Sequence, residues 1–212
     1  SCGVFTVKLY LPNGNPVNKS SGIFSKTLRE LNPLLPVEEA GRLNDAGLRE
    51  NFIMRVYTYQ RWQELNRQPL TAQKLVQFHT RHKYLVMSHS HATYKTLGQM
   101  VATAGSADLT QLGPHYIKSL MDAIASPAPR ARHCNVLHHL LGYLKKLISP
   151  HDKQELLATI EHYRQGVVPL IVPMALLRHH FERWCDQQRY ILEQIYLDPY
   201  PFELGLRSQV QP

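Results

Sequence analysis

Residues 71–90, TAQKLVQFHTRHKYLVMSHS, decide how the chain is read. Leu75, Phe78, Tyr84, Leu85 and Met87 or Val86 recur at helical spacing behind Thr71, which suits an N-cap. The pattern repeats downstream. Residues 91–105, 109–126, 130–149 and 149–166 each read as a helix. Gly113-Pro114 starts or kinks the second of these, and Gly105 ends the first. The segment 149–166 is the clearest, with Ser149 as cap, Pro150 at N1 and Gly166 just past the end. Residues 169–197 supply one or two more helices. Residues 68–200 therefore predict an all-α bundle of about five to seven helices, followed by an irregular tail over 201–212.

Upstream the character changes. VFTVKLY (4–10) reads as a strand and LPNGNP (11–16) as a turn, with positive φ at Asn13-Gly14. Residues 22–31 predict a helix, and PLLPV (33–37) a short buried edge strand. Asn44 or Asp45 then caps a long amphipathic helix with Leu48, Phe52, Val56, Tyr59 and Trp62 or Gln63 at steps of 3 to 4. Strand, helix and short strand in that order look like the end of an α/β domain over 1–66. If that domain is incomplete, its first strand lacks sheet partners.

Charge and cysteine content narrow the classes. The net charge is +8, and residues 67–212 hold 16 Lys+Arg against 10 Asp+Glu. Such an excess favours a phosphorylated or polyanionic ligand, with nucleic acid as a less favoured partner. No apolar stretch reaches the ~18 residues of a membrane span and no secretory signal is present, so a cytoplasmic protein with no membrane partner is expected. Cys2, Cys134 and Cys185 are too few and too widely spaced for a disulfide framework.

Histidine is the sharper signal. All 12 lie between His79 and His180. His79 and Lys83 share a helix face. His79 and His82 form a weak zinc-type HxxH, without the glutamate of a metalloprotease motif. Asn135, His139 and Tyr143 share a face of the helix that also carries His133, among Val136, Leu137, Leu140 and Leu141. Together with His89 near a helix junction, these residues predict a polar pocket inside the bundle. Arg164 adds a group able to hold a phosphate or carboxylate. The plainer reading, weighed ahead of it, is a hydrogen-bonded network that fixes helix register without catalysis.

Two resemblances follow from particular segments. HTRHK, HS...Y..LG, H.NVL.H..GY, YR.G..PL..P and QRY, within residues 68–200, resemble the YbgA-like domain, a helical domain of unknown function. SCGVFTVKLYLPNGNPV and its continuation to residue 65 resemble the C-terminal end of the thiouracil desulfidase-type domain. In that family a Ser-Pro-Ser-Cys-Gly-type motif carries the last of three cysteines holding a 4Fe-4S cluster. The resemblance implies that Cys2 is a cluster ligand and that the chain is the C-terminal part of a two-domain protein. Its partners would be a missing N-terminal domain and a small thiolated uracil base or nucleotide. The open iron of such a cluster would take sulfur from the thiocarbonyl. The chain alone is expected to hold no cluster, because the other two cysteines are absent from this part. A non-catalytic module for nucleic acid or a protein partner is the alternative.

Overall fold

In the computed structural model the described residues are 7–10 and 16–20, for their backbone path, and 22–184 and 190–207 in full. Strands β1 (Val7–Tyr10) and β2 (Pro16–Ser20) pair antiparallel, with Lys8 opposite Asn18 and an irregularity between Val7 and Lys8. The strand expected at 4–10 thus has a partner, the segment immediately after it. Pro16 opens β2, where a missing N–H is tolerated. The turn expected at Asn13-Gly14 lies outside the described residues, as do Cys2 and Cys185.

The edge strand expected at 33–37 is absent, and residues 33–35 form a turn and bend instead. Pro33 and Pro36 remove two ladder donors from a five-residue stretch, which explains the failure. Helix α1 (Ile23–Leu31) forms as expected, but Ile23, Phe24 and Leu31 are exposed rather than packed on the core.

Helix α2 (Ala46–Leu65) starts at Asp45, whose carboxylate accepts the Leu48 N–H at 2.8 Å. Its buried row is Asn51, Met54, Thr58 and Trp62, not the expected row through Phe52, Val56 and Tyr59, which is only half-buried. Two polar residues can be buried because each finds a backbone carbonyl. Asn51 donates to Ile124 O at 3.2 Å and Thr58 to Met54 O at 2.9 Å. Apolarity alone pointed at the wrong face except at Trp62, which is buried as expected.

Six helices complete the bundle: α3 (Ala72–His89), α4 (His91–Ala102), α5 (Leu109–Ala123), α6 (Arg130–Leu144), α7 (Pro150–Arg164) and α8 (Ile171–Trp184). The caps read from sequence are made. Thr71 accepts from Lys74 N and Ser149 from Asp152 N, and Ser90, with no such expectation on it, also caps by accepting from Thr93 N. Pro114 lies inside α5 rather than at its start, and Gly113 before it packs under Trp62 and Leu70. The last turn and a half of α3, Tyr84 to His89, is buried on every side, so α3 runs through the centre of the bundle. Trp62, Phe78 and Tyr116 join α2, α3 and α5 through ring contacts with centroids 5.2–6.3 Å apart.

After α8 the described residues 190–200, which belong to the stretch expected to be part of the helical domain, form short turns that fold back on the bundle. Ile195 N–H donates to Arg81 O at 2.8 Å, and Ile191, Tyr196 and Tyr200 are buried. A short 3₁₀ turn (Phe202–Leu204) ends at Gly205 with φ +59°, which turns the chain so that Arg207 enters the interior. No helix of the described residues is long and apolar enough to cross a membrane.

Two glycine substitutions separate backbone entropy from strain. Gly142 sits in α6 with open space around its Cβ position, so Gly142→Ala is expected to stabilise by about 0.5–1 kcal/mol. Gly166 has φ +79°, and a Cβ there would stand 2.8 Å from Arg130 Nη1. Gly166→Ala is expected to destabilise by about 1 kcal/mol or more. Thermal unfolding of both variants checks the pair; equal effects would refute the assigned strain.

Candidate functional site

A cavity of about 280 Å³ opens where the first turn of α6, the loop after α7, Glu50 of α2 and the returning tail meet. Glu50, Arg130, His133, Tyr163 and Arg207 supply its polar wall, and Val168, Leu170 and the Pro127–Pro129 segment the rest.

Arg207 anchors this wall. Its guanidinium is buried and donates from Nε to Glu50 Oε1 at 2.9 Å and from Nη1 to Tyr196 O at 2.7 Å. Tyr200 O–H adds a second bond to the same Glu50 oxygen at 3.1 Å. The rings of Tyr196 and Tyr200 lie 5.6 and 5.9 Å from the guanidinium carbon, within cation–π range. Burial works against the Arg207 charge, but Glu50 and the two tyrosines outweigh it and hold the pKa above the ordinary value.

His133 comes next. Its Nδ1 lies 3.0 Å from Tyr196 O–H. That hydroxyl is fully buried, and its hydrogen has no other acceptor among the described residues, so Tyr196 donates and His133 carries its own hydrogen on Nε2. Burial first, then the charge of Arg207, pushes the His133 pKa well below the usual value. The ring is therefore a neutral donor. Tyr163, beneath the Arg130 guanidinium at 5.8 Å, is held protonated by burial. Behind the wall, His89 Nε2 lies 3.2 Å from Asn51 Oδ1, which only accepts, so the neutral ring carries its hydrogen on Nε2 and donates to Asn51, while Nδ1 lies 3.1 Å from Ser88 Oγ and 2.9 Å from Leu85 O. Burial lowers its pKa to about 4.

A family model described as a protein of unknown function (DUF1722) matches residues 83–201. That is more than half of the 212 residues. The chain belongs to the DUF1722 family. A relative, the uncharacterized protein YbgA of Escherichia coli strain K12, is 29% identical over 146 residues, covering 66% of this chain and 86% of the relative. No solved structure matches. His89, Arg130, His133, Tyr163 and Tyr196 fall within the DUF1722 match, while Glu50 and Arg207 lie on either side of it.

The DUF1722 fold does not gather the residues expected to share a pocket. Only His89 and His133 join the network just described. Asn135 and His139 are exposed, because the face of α6 that packs inward is the one carrying His133, Val136, Leu137 and Leu140. Arg164 is exposed at the end of α7 and forms a two-bond pair with Glu161. Tyr143 and Lys83 meet elsewhere: Tyr143 O–H lies 2.8 Å from Tyr84 O–H, and Lys83 Nζ stands over the Tyr84 and Tyr190 rings at 5.1 and 5.2 Å.

His79 and His82 also separate. His79 Nδ1 lies 3.1 Å from Tyr116 O–H, while His82 Nδ1 lies 2.7 Å from Phe78 O. They line different hollows and form no metal site. Among the described residues only His151, Asp152 and Glu155 bring three ligand-type atoms together, on the exposed start of α7. Glu50 and Arg207 escaped the reading of the sequence. The one signal was an arginine set among leucines, LGLRS at 204–208, in a tail taken as irregular.

Two outcomes follow. Glu50→Ala strands the Arg207 charge in the interior and is expected to cost about 3–5 kcal/mol in denaturant unfolding; a cost under about 1 kcal/mol would mean the pair is hydrated. His79 and His89 are neutral in the fold down to about pH 4 and His82 to about pH 3, against 6.5 when unfolded. The unfolded state thus binds more protons through this window. Stability is expected to be full above pH 6.5 and to fall steadily between pH 6.5 and 4. A melting temperature flat across that range would contradict the assignment.

Proposed function

We propose that the helical domain holds a small, planar, polar molecule in the cavity beside Arg207, and that this molecule is of the thiolated-uracil class. The observation that carries this reading is the balance of the wall. One carboxylate, two guanidinium groups, a neutral His133 and the Tyr163 hydroxyl line about 280 Å³. Such a wall offers donors to a C=O or C=S group and an acceptor to a ring N–H, at low net charge, in a space suited to a small ring system. A long polyanion would meet the Glu50 carboxylate in the same wall.

In this reading the domain works beside an iron–sulfur domain of the thiouracil desulfidase type, which performs the sulfur removal. The support for that part is the resemblance around Cys2 and the apolar, exposed side of α1, where Ile23 and Phe24 are open to a packing partner. The described residues do not fit a cluster by themselves. Cys134 is the one cysteine among them, and burial raises the pKa of its thiol. The cluster would rest on Cys2 and on cysteines outside these residues.

The test is thermal unfolding of the chain with 2-thiouracil, uracil and a mixed-sequence RNA. The thiolated base is expected to raise the melting temperature, and Arg130→Ala at the rim to remove the effect. If neither base stabilises the protein while RNA binds with steep salt dependence, the domain is a nucleic-acid module instead.

A further inference from the structure

A second hollow, of about 520 Å³, lies between α2 and α3, on a different set of residues. Two buried polar atoms in its wall have no partner. His82 Nδ1 is 2.7 Å from the Phe78 carbonyl, which can only accept, so Nδ1 carries the hydrogen. The neutral ring then holds a bare lone pair on Nε2, and that atom is buried and unbonded. The whole residue is 2% exposed and stacks on Phe78 with centroids 3.9 Å apart. Burial keeps the ring from protonating, so it cannot resolve the deficit by gaining charge. Arg61 mirrors it. Nη2 donates to Pro199 O at 2.8 Å, while Nη1 is buried with no acceptor. A buried polar atom left without its bond is costly, so two in one wall indicate a surface finished by something else.

The charge around the hollow narrows what that is. Arg61, Lys74 and Arg81 face it against Glu64 and Glu193. Arg81 forms no ion pair among the described residues. Its charge lowers the Arg61 pKa, though less than burial does. An anion between the two guanidinium groups would relieve that repulsion. His82 Nε2 asks for a neutral hydroxyl or N–H donor beside it. The volume exceeds that of a lone phosphate several-fold, so one molecule can supply both groups.

We propose that this hollow binds a small phosphorylated sugar, its phosphate on Arg61 and Arg81 and a hydroxyl donating to His82 Nε2. The site is separate from the cavity beside Arg207 and stands whether or not that cavity takes a thiolated base.

The probe is ribose 5-phosphate, with ribose and inorganic phosphate as controls, followed by titration calorimetry on the full chain. Ribose 5-phosphate is expected to bind, ribose alone not, and inorganic phosphate more weakly. Arg81→Ala, on an exposed side chain that the fold does not need, should weaken binding about tenfold. Nitrogen-15 spectra should show the His82 Nε2 resonance moving on binding while it remains unprotonated. Three results overturn the proposal: no binding at millimolar sugar phosphate, wild-type affinity in Arg81→Ala, or loss of binding in Arg130→Ala instead. The last would place the phosphate in the other cavity. The thiouracil experiment reads neither Arg81 nor His82, so the two proposals can fail independently.

Discussion

The buried pair of Arg207 and Glu50 organises this molecule. A guanidinium in the interior is tolerated only when its charge and its donors are matched, and here a carboxylate, a backbone carbonyl and two tyrosine rings do so. The pair spans 157 positions of sequence, so forming it requires α2 and the returning tail to be in place together. Tyr196 lies at the junction. Its carbonyl takes one Arg207 hydrogen and its hydroxyl orients His133. The cavity beside it therefore exists only when the tail is home. It is a product of long-range closure rather than of any one helix.

The central helix adds a second constraint. His82 and His89 are two turns apart on α3, and each places Nδ1 beside the carbonyl four residues back, at 2.7 and 2.9 Å. This fixes the ring orientation and sends Nε2 away from the helix axis. At His89 the outer nitrogen donates to Asn51 Oδ1 of α2, and the Asn51 NH₂ in turn donates to the Ile124 carbonyl at the end of α5. At His82 the outer nitrogen is a buried lone pair with no partner, in a residue that helps to line the larger hollow. Similar ring placements thus carry a bonded donor at one level of the bundle and a bare acceptor at the other.

The sequence was legible where local chemistry decides the outcome. Thr71, Asp45 and Ser149 cap the helices they were expected to cap, because a short polar side chain next to an apolar run has few other uses. The site was not legible in the same way. Asn135, His139 and Tyr143 share a face at perfect spacing, yet spacing cannot say whether that face turns inward. Val136, Leu137 and Leu140 settled it by burying the adjacent one. In α2, Asn51 and Thr58 took core positions that apolarity assigned to Phe52 and Val56, and only the position of the Ile124 carbonyl makes room for Asn51. Ion pairing between Glu50 and Arg207 carries no periodic signal at all. Patterns recurring every 3 to 4 residues report elements; a contact closed across the whole chain reports only itself.

The electrostatics of the interior follow from these placements. The histidines that make this chain conspicuous are, where buried around α3, neutral by desolvation, and the cations nearest them reinforce the effect. These four therefore add donors and acceptors to the interior but no charge near neutral pH. Charge in the two hollows comes from arginine, lysine and glutamate. It follows that ligand binding above about pH 6.5 should depend on the protonation of the ligand and not of the protein. A phosphate monoester, whose second ionisation falls near pH 6, would carry such a dependence into the Arg61–Arg81 hollow. An uncharged base in the cavity beside Arg207 would carry none. The same protein thus holds two polar hollows whose responses to pH differ for reasons that lie in their ligands, because folding has already kept His79, His82, His89 and His133 neutral.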